Sequence, residues 1–95
     1  MPINTNPLNK PPVVTDLVQV YPNPVQYTLY IHGKKNLRKP LLIQVCDIYG
    51  RVLKQGTSFK NDFTVDVSDL KPGAYLFKLY NGYDREVQIE KFIKE

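Results

Sequence analysis

An all-β fold, a sandwich of two antiparallel sheets, is the class that this sequence predicts, and three observations predict it. Tyrosine and valine are frequent while eight prolines and five glycines punctuate only 95 residues, a composition that favours many short strands over helices. Apolar side chains recur at every second position within short runs, the period of a strand with one buried face. Turn residues separate those runs roughly every 8 to 12 positions, the spacing of a sandwich or barrel. A chain of this length holds one core and buries roughly two-thirds of the surface its unfolded form exposes. Its 42% hydrophobic and 23% charged residues place it among chains that fold.

Residues 1–12 hold four prolines, Pro2, Pro7, Pro11 and Pro12, and read as an extended linker, with the domain proper over 13–95. The first strand is expected over Asp16 to Tyr21, with Val18 and Val20 on one face. It stops at Pro22-Asn23-Pro24, since two prolines cannot donate to a central ladder. The second, about Gln26 to His32, points Tyr27, Leu29 and Ile31 inward and gives way to a basic loop, Gly33 to Lys39. The third, Leu41 to Asp47, sets Leu41, Ile43 and Val45 on one face. Asp47-Ile48-Tyr49-Gly50-Arg51 suits a type I turn followed by a left-handed Gly50, a three-residue hairpin loop.

The fourth strand then runs from Arg51 to about Gly56, and the fifth carries Phe63, Val65 and Val67 on one face. After a corner at Ser68 to Gly73, the sixth turns Tyr75, Phe77 and Leu79 inward. Asn81-Gly82 is the pair favoured at the centre of a two-residue type I′ hairpin, and the seventh strand follows over about Asp84 to Lys94. Seven strands in two packed sheets make the predicted architecture immunoglobulin-like. The seventh strand is expected to leave an unpaired edge through which two copies could associate as a homodimer.

Composition and residue inventory exclude several function classes. A net charge of +4 with a pI near 9.2 is mildly basic, and no nucleic-acid-binding module accompanies it, so nucleic acid is not an expected partner. No apolar run approaches the roughly 18 to 20 residues a transmembrane helix needs, and residues 1–6 lack the charged and apolar regions of a signal peptide. His32 and Cys46 are single residues of their kinds, Cys46 falls mid-strand as a small packed side chain, and a catalytic dyad is not expected. Asp16, Asp47, Asp62, Asp69 and Asp84 fall in turns, where aspartate bonds nearby backbone, so paired acid-base chemistry finds no support. The sequence holds no glycine-rich phosphate loop and no metal-ligand cluster; no cofactor is expected. Lys34, Lys35, Arg38 and Lys39 read as a solvated loop, the usual state of a charge run between strands.

Leu70-Lys71-Pro72-Gly73-Ala74-Tyr75 places Tyr75 where its hydroxyl can reach upstream backbone, the tyrosine corner of Greek-key sandwiches. That motif speaks for architecture. Taken with Val20-Tyr21-Pro22-Asn23-Pro24, Asp47-Ile48-Tyr49-Gly50-Arg51, Val67-Ser68-Asp69-Leu70 and Lys91-Phe92-Ile93-Lys94, in this order and spacing, it resembles the C-terminal sorting domain family of type IX (Por) secretion, over about Leu17 to Glu95. The chain departs from the family pattern at Cys46 and at its last residue, Glu95.

The resemblance implies an export address in a Bacteroidetes-type bacterium, not an enzyme. The partners it implies are an attached N-terminal cargo domain, the type IX outer-membrane translocon and a cysteine-peptidase sortase that removes the tail. It also implies passage through the periplasm to the outer-membrane surface or the medium. Carried over by motif, Tyr21, Pro22, Asn23 and Pro24 form the opening element, Asp47, Gly50 and Arg51 the hairpin, Leu70, Gly73 and Tyr75 the corner, and Lys91, Phe92 and Lys94 the recognition end. The rival function is an immunoglobulin-like adhesion or carbohydrate-binding module, which calls for an exposed aromatic platform drawn from Tyr27, Tyr30, Tyr49, Tyr80 or Tyr83.

Overall fold

The computed structural model describes residues 13–14, 16–82 and 86–95. The expected linker over 1–12, the expected strand start at Asp84 and the tyrosine at 83 lie outside them. Among the described residues the strands are β1 (Val13–Val14), β2 (Val18–Tyr21), β3 (Thr28–Gly33), β4 (Leu41–Asp47), β5 (Val52–Ser58), β6 (Asp62–Asp66), β7 (Gly73–Asn81) and β8 (Glu86–Lys94). One sheet has the order β1-β8-β7-β4-β5 and the other β2-β3-β6. The seven strands β2 to β8 pair antiparallel, four against three, as the immunoglobulin-like reading requires, and the two-residue β1 adds a parallel rung to β8.

The alternation that predicts the strands also builds the core. Leu41, Ile43 and Val45 from β4 and Phe77 and Leu79 from β7 meet Leu29 and Ile31 from β3, all of them buried. The β4–β5 connection is the three-residue loop that Asp47 and Gly50 foretell: the Gly50 N–H donates to the Asp47 carbonyl at 3.0 Å, and Gly50 has φ +90°.

Four expectations need correction. Tyr27 does not point inward but is 66% exposed, because the chain bends at Gln26-Tyr27 and Val25 fills that end of the core. The Asn81-Gly82 pair is not the centre of a two-residue turn. Tyr80 pairs with Val87, which centres the hairpin two residues later, and Asn81 is a buried residue ending β7. Its side chain accepts from the Arg38 N–H at 2.7 Å and donates to Glu86 at 3.0 Å, while Gly82 has φ +58° and the Arg38 carbonyl lies close against it.

The basic loop, thirdly, is docked and not merely solvated. Leu37 enters the core, Lys34 pairs with Asp16, Lys35 with Glu86, and Lys39 donates to Asn36, to Asn61 and to the Leu37 carbonyl. Finally, β8 is not a bare edge. Val13 and Val14 pair with Glu86 and Val87, and Val25 bridges to Lys94 at the far end. Strand limits otherwise shift by about two residues: β2 begins at Val18 and not Asp16, and β5 continues to Ser58 past Gly56.

Candidate functional site

The four sequence segments come together at one end of the sandwich. Strand register sets Asp47 opposite Tyr75 across β4 and β7, Tyr75 opposite Phe92 across β7 and β8, and Gly73 opposite Lys94. The Tyr75 and Phe92 rings stack with centroids 5.7 Å apart and planes 24° apart, joining the corner to the last strand through apolar contact. The Tyr75 hydroxyl donates to the Lys71 carbonyl at 2.6 Å, which closes the predicted tyrosine corner, and Leu70 packs half-buried beside the core.

Asn23 attaches the opening segment to the same place. Proline at 22 and 24 leaves this stretch without main-chain donors at two of three positions, and the Asn23 carboxamide takes over their role. It accepts from the Ile93 N–H at 2.9 Å and donates to the Lys91 carbonyl at 3.2 Å, copying a paired strand residue. Two residues on, the Val25 N–H donates to the Ile93 carbonyl and the Glu95 N–H to the Val25 carbonyl, each at 2.8 Å. Pro22, Pro24 and Tyr21 are exposed around this contact, Lys91 is exposed, and Lys94 is buried with its ammonium on the Glu95 carbonyl at 2.8 Å. Asn23→Ala should therefore cost about 1 kcal/mol. It should also speed hydrogen exchange at the Ile93 amide; unchanged exchange there would show that the carboxamide does not hold β8.

The hairpin is organised by one carboxylate. Asp47 Oδ1 accepts from the N–H groups of Tyr49 at 2.9 Å and Arg51 at 3.0 Å, and Oδ2 accepts from Arg51 Nε at 2.6 Å. The hydrogen bond from the Arg51 guanidinium is the largest influence on the Asp47 carboxyl; desolvation opposes it, the Arg51 and Tyr49 N–H groups add to it, and the carboxyl is held below the ordinary aspartate range. A depressed folded value stabilises the hairpin above the unfolded pKa, and that contribution is lost as pH falls through the folded one. An NMR titration should show Tyr49 and Arg51 amide shifts moving only below the ordinary aspartate pKa. Movement centred at or above it would contradict this arrangement.

No catalytic grouping joins these residues. Cys46 is buried in β4 on the side facing away from the core, whereas His32 lies on the outer face of the other sheet, 2.7 Å from Asp62. Among the described residues no three His, Cys, Asp or Glu side chains cluster as metal ligands, and no helix is long and apolar enough to cross a membrane. A cleft of about 540 Å³ between β5 and β6 contains none of the motif residues.

The family model for the secretion-system C-terminal sorting domain matches residues 19–95, which takes in all four segments. The chain belongs to that family. No curated protein sequence matches this sorting domain. Among solved structures it is similar to PorZ, an essential surface component of the type-IX secretion system of Porphyromonas gingivalis, with a TM-score of 0.65 and 22% identity over 82% of the chain. The sorting domain spans 11% of PorZ, and at that identity the likeness shows the fold alone. Family membership makes this a C-terminal sorting signal of type IX secretion, a domain class that is not catalytic and that accompanies a cargo on export across the outer membrane.

The residue that sequence reasoning missed is Gln88. It shares the inward parity of Phe92 on β8, is 2% exposed, and binds the backbone of Leu17 and Val18. A glutamine at an inward strand position was the available signal, since a buried polar side chain needs partners.

Proposed function

We propose that this domain carries an N-terminally attached cargo from the periplasm to the type IX outer-membrane translocon, which reads the β7–β8 hairpin and the motif end of the sandwich. A sortase-like cysteine peptidase then cuts within residues 1–12, a proline-containing polar segment preceding the domain. The convergence of Asn23, Asp47, Tyr75 and Phe92 at one end supports this reading, because segments far apart in sequence are held together there, the buried Tyr75 and Phe92 rings beneath an exposed Pro22, Asn23, Pro24 and Lys91. The hydrogen bonds from the Asn23 carboxamide make Pro22-Asn23-Pro24 a support for the last strand.

The test is a fluorescent protein directed to the periplasm and fused ahead of the full chain in a type IX-competent bacterium. Reporter at the surface or in the medium, lost in a secretion-deficient strain, is the expected result. Intact reporter held in the periplasm, while a known tail is exported, would overturn it. A truncation after Tyr83 should abolish export. Retention of export by that truncation would remove the hairpin from the mechanism.

One observation favours a second reading, glycan binding. Tyr21 and Tyr30 stack across β2 and β3 with centroids 5.7 Å apart and stand 43% and 47% exposed, beside Gln19, His32 and Thr64 on the outer face of the small sheet. Aromatic rings flanked by hydrogen-bonding side chains suit pyranose faces and hydroxyls. Titration with cellohexaose, mannohexaose and chitohexaose should then give saturable NMR shifts on that face, and none up to millimolar sugar would dismiss this reading.

A further inference from the structure

The last strand of a small sandwich can be recognised in two ways. A partner can add a strand to its edge, which requires a run of free main-chain groups, or it can dock on the side chains of the outer face. The two modes ask for different partners, and the structure separates them.

The edge of β8 is occupied along most of its length. Val13 and Val14 pair beside Glu86 and Val87, and the Gln88 side chain, on the inner face, holds the backbone of Leu17 and Val18 alongside. Further along, the Lys91 carbonyl and the Ile93 N–H are taken by Asn23, and the Ile93 carbonyl by Val25. No free run long enough to seat a partner strand remains.

The outer face of the same sheet has the opposite character. Register and the burial of Tyr75, Phe77 and Phe92 direct the alternate residues of β4, β5, β7 and β8 outward. Solvated antiparallel faces are ordinarily polar. This one exposes Leu42 at 47%, Val52 at 46%, Ile89 at 44% and Ile93 at 38%. Among its described residues the charged ones are Lys78 and Lys91, both cations, with no aspartate or glutamate on the face. Apolar contact area with charge of one sign asks for a partner surface that is apolar and carries carboxylates.

We propose, resting on the sorting reading above, that the signal is read on this outer face by an apolar protein surface bearing acidic side chains, and not by strand addition to β8. A protein and not a lipid layer is the occupant, because the exposed aliphatic side chains come from β4, β5 and β8 while the two lysines hold fixed register positions among them, Lys78 on β7 opposite Ile89 and Lys91 on β8. Such a pattern specifies discrete carboxylates.

The same export assay separates this proposal from the reading it rests on. If the wild-type fusion is not exported in a competent host, the sorting reading fails. If it is exported, Ile89→Glu with Ile93→Glu, and separately Lys78→Glu with Lys91→Glu, should each reduce export by about tenfold or more. Because Ile89, Lys91 and Ile93 are exposed and Lys78 is half-buried on the same outer face, the purified variants should keep the wild-type circular dichroism spectrum. Should the glutamate pair at 89 and 93 fail to fold, Ile89→Thr with Ile93→Thr keeps β-branched side chains and should still lower export. Folded variants exported at the wild-type level would overturn the proposal. Tight binding of the purified chain to lipopolysaccharide vesicles, abolished by these same substitutions, would overturn it in favour of a lipid occupant.

Discussion

Gln88→Leu should destabilise the domain by about 3 to 5 kcal/mol, since each buried polar group left unpaired costs about 1 to 3 kcal/mol. Gln88 Oε1 accepts from the Leu17 N–H at 2.6 Å and the Val18 N–H at 2.7 Å, while Nε2 donates to the Val18 carbonyl at 2.8 Å and to Glu90 at 2.9 Å. Leu17 and Val18 are each 1% exposed, so water cannot take the place of the amide. Leucine preserves the volume and removes every one of these bonds. The glutamine acts as a rung between sheets, fastening the start of β2 to β8 where main-chain pairing does not reach. Urea denaturation measures the effect. A loss below about 1 kcal/mol would mean that the backbone of β2 finds other partners, and the account of this contact would be wrong.

What could be read from the sequence divides along the range of the interactions. The limits of β4, the Asp47–Gly50 hairpin and the Tyr75 corner are set by chemistry within a few residues: alternation, a carboxylate that caps its own turn, and a hydroxyl reaching four residues back. Gln88 and Asn23 act across about 70 positions, through side chains that stand in for main-chain groups, and no local pattern announces the partner. Tyr27 obeyed the strand period but lost its place to Val25, because the bridge from Val25 to Lys94 bends the chain first. The family motif did mark Asn23, Tyr75 and Phe92 as belonging together. That Asn23 bonds the main chain on either side of Phe92, and that Phe92 stacks on Tyr75, is a fact of tertiary structure.

Gly82→Val is the second substitution with a large expected effect, about 2 to 4 kcal/mol, and it separates stability from recognition. Gly82 has φ +58°, a conformation that a β-branched residue adopts only under strain. A Cβ there would also lie 2.6 Å from the Arg38 carbonyl oxygen. The loop cannot simply retreat, because Leu37 is seated in the core and the Arg38 N–H is held by Asn81. The glycine of the Asn-Gly pair therefore answers to its positive φ and to a close approach by the 33–39 loop, while its reading as a two-residue turn fails on the register of Tyr80 with Val87. Gly82 follows the end of β7 opposite to Gly73, so the strain enters far from Asn23, Asp47 and Phe92. The expected result is a lower melting temperature with the NMR shifts of the motif end unchanged, and continued export of a fused reporter at temperatures where the variant is folded. Loss of export from the folded variant would show that the translocon requires the loop end of the hairpin as well, and the recognition surface would then have to extend along the whole of β7 and β8.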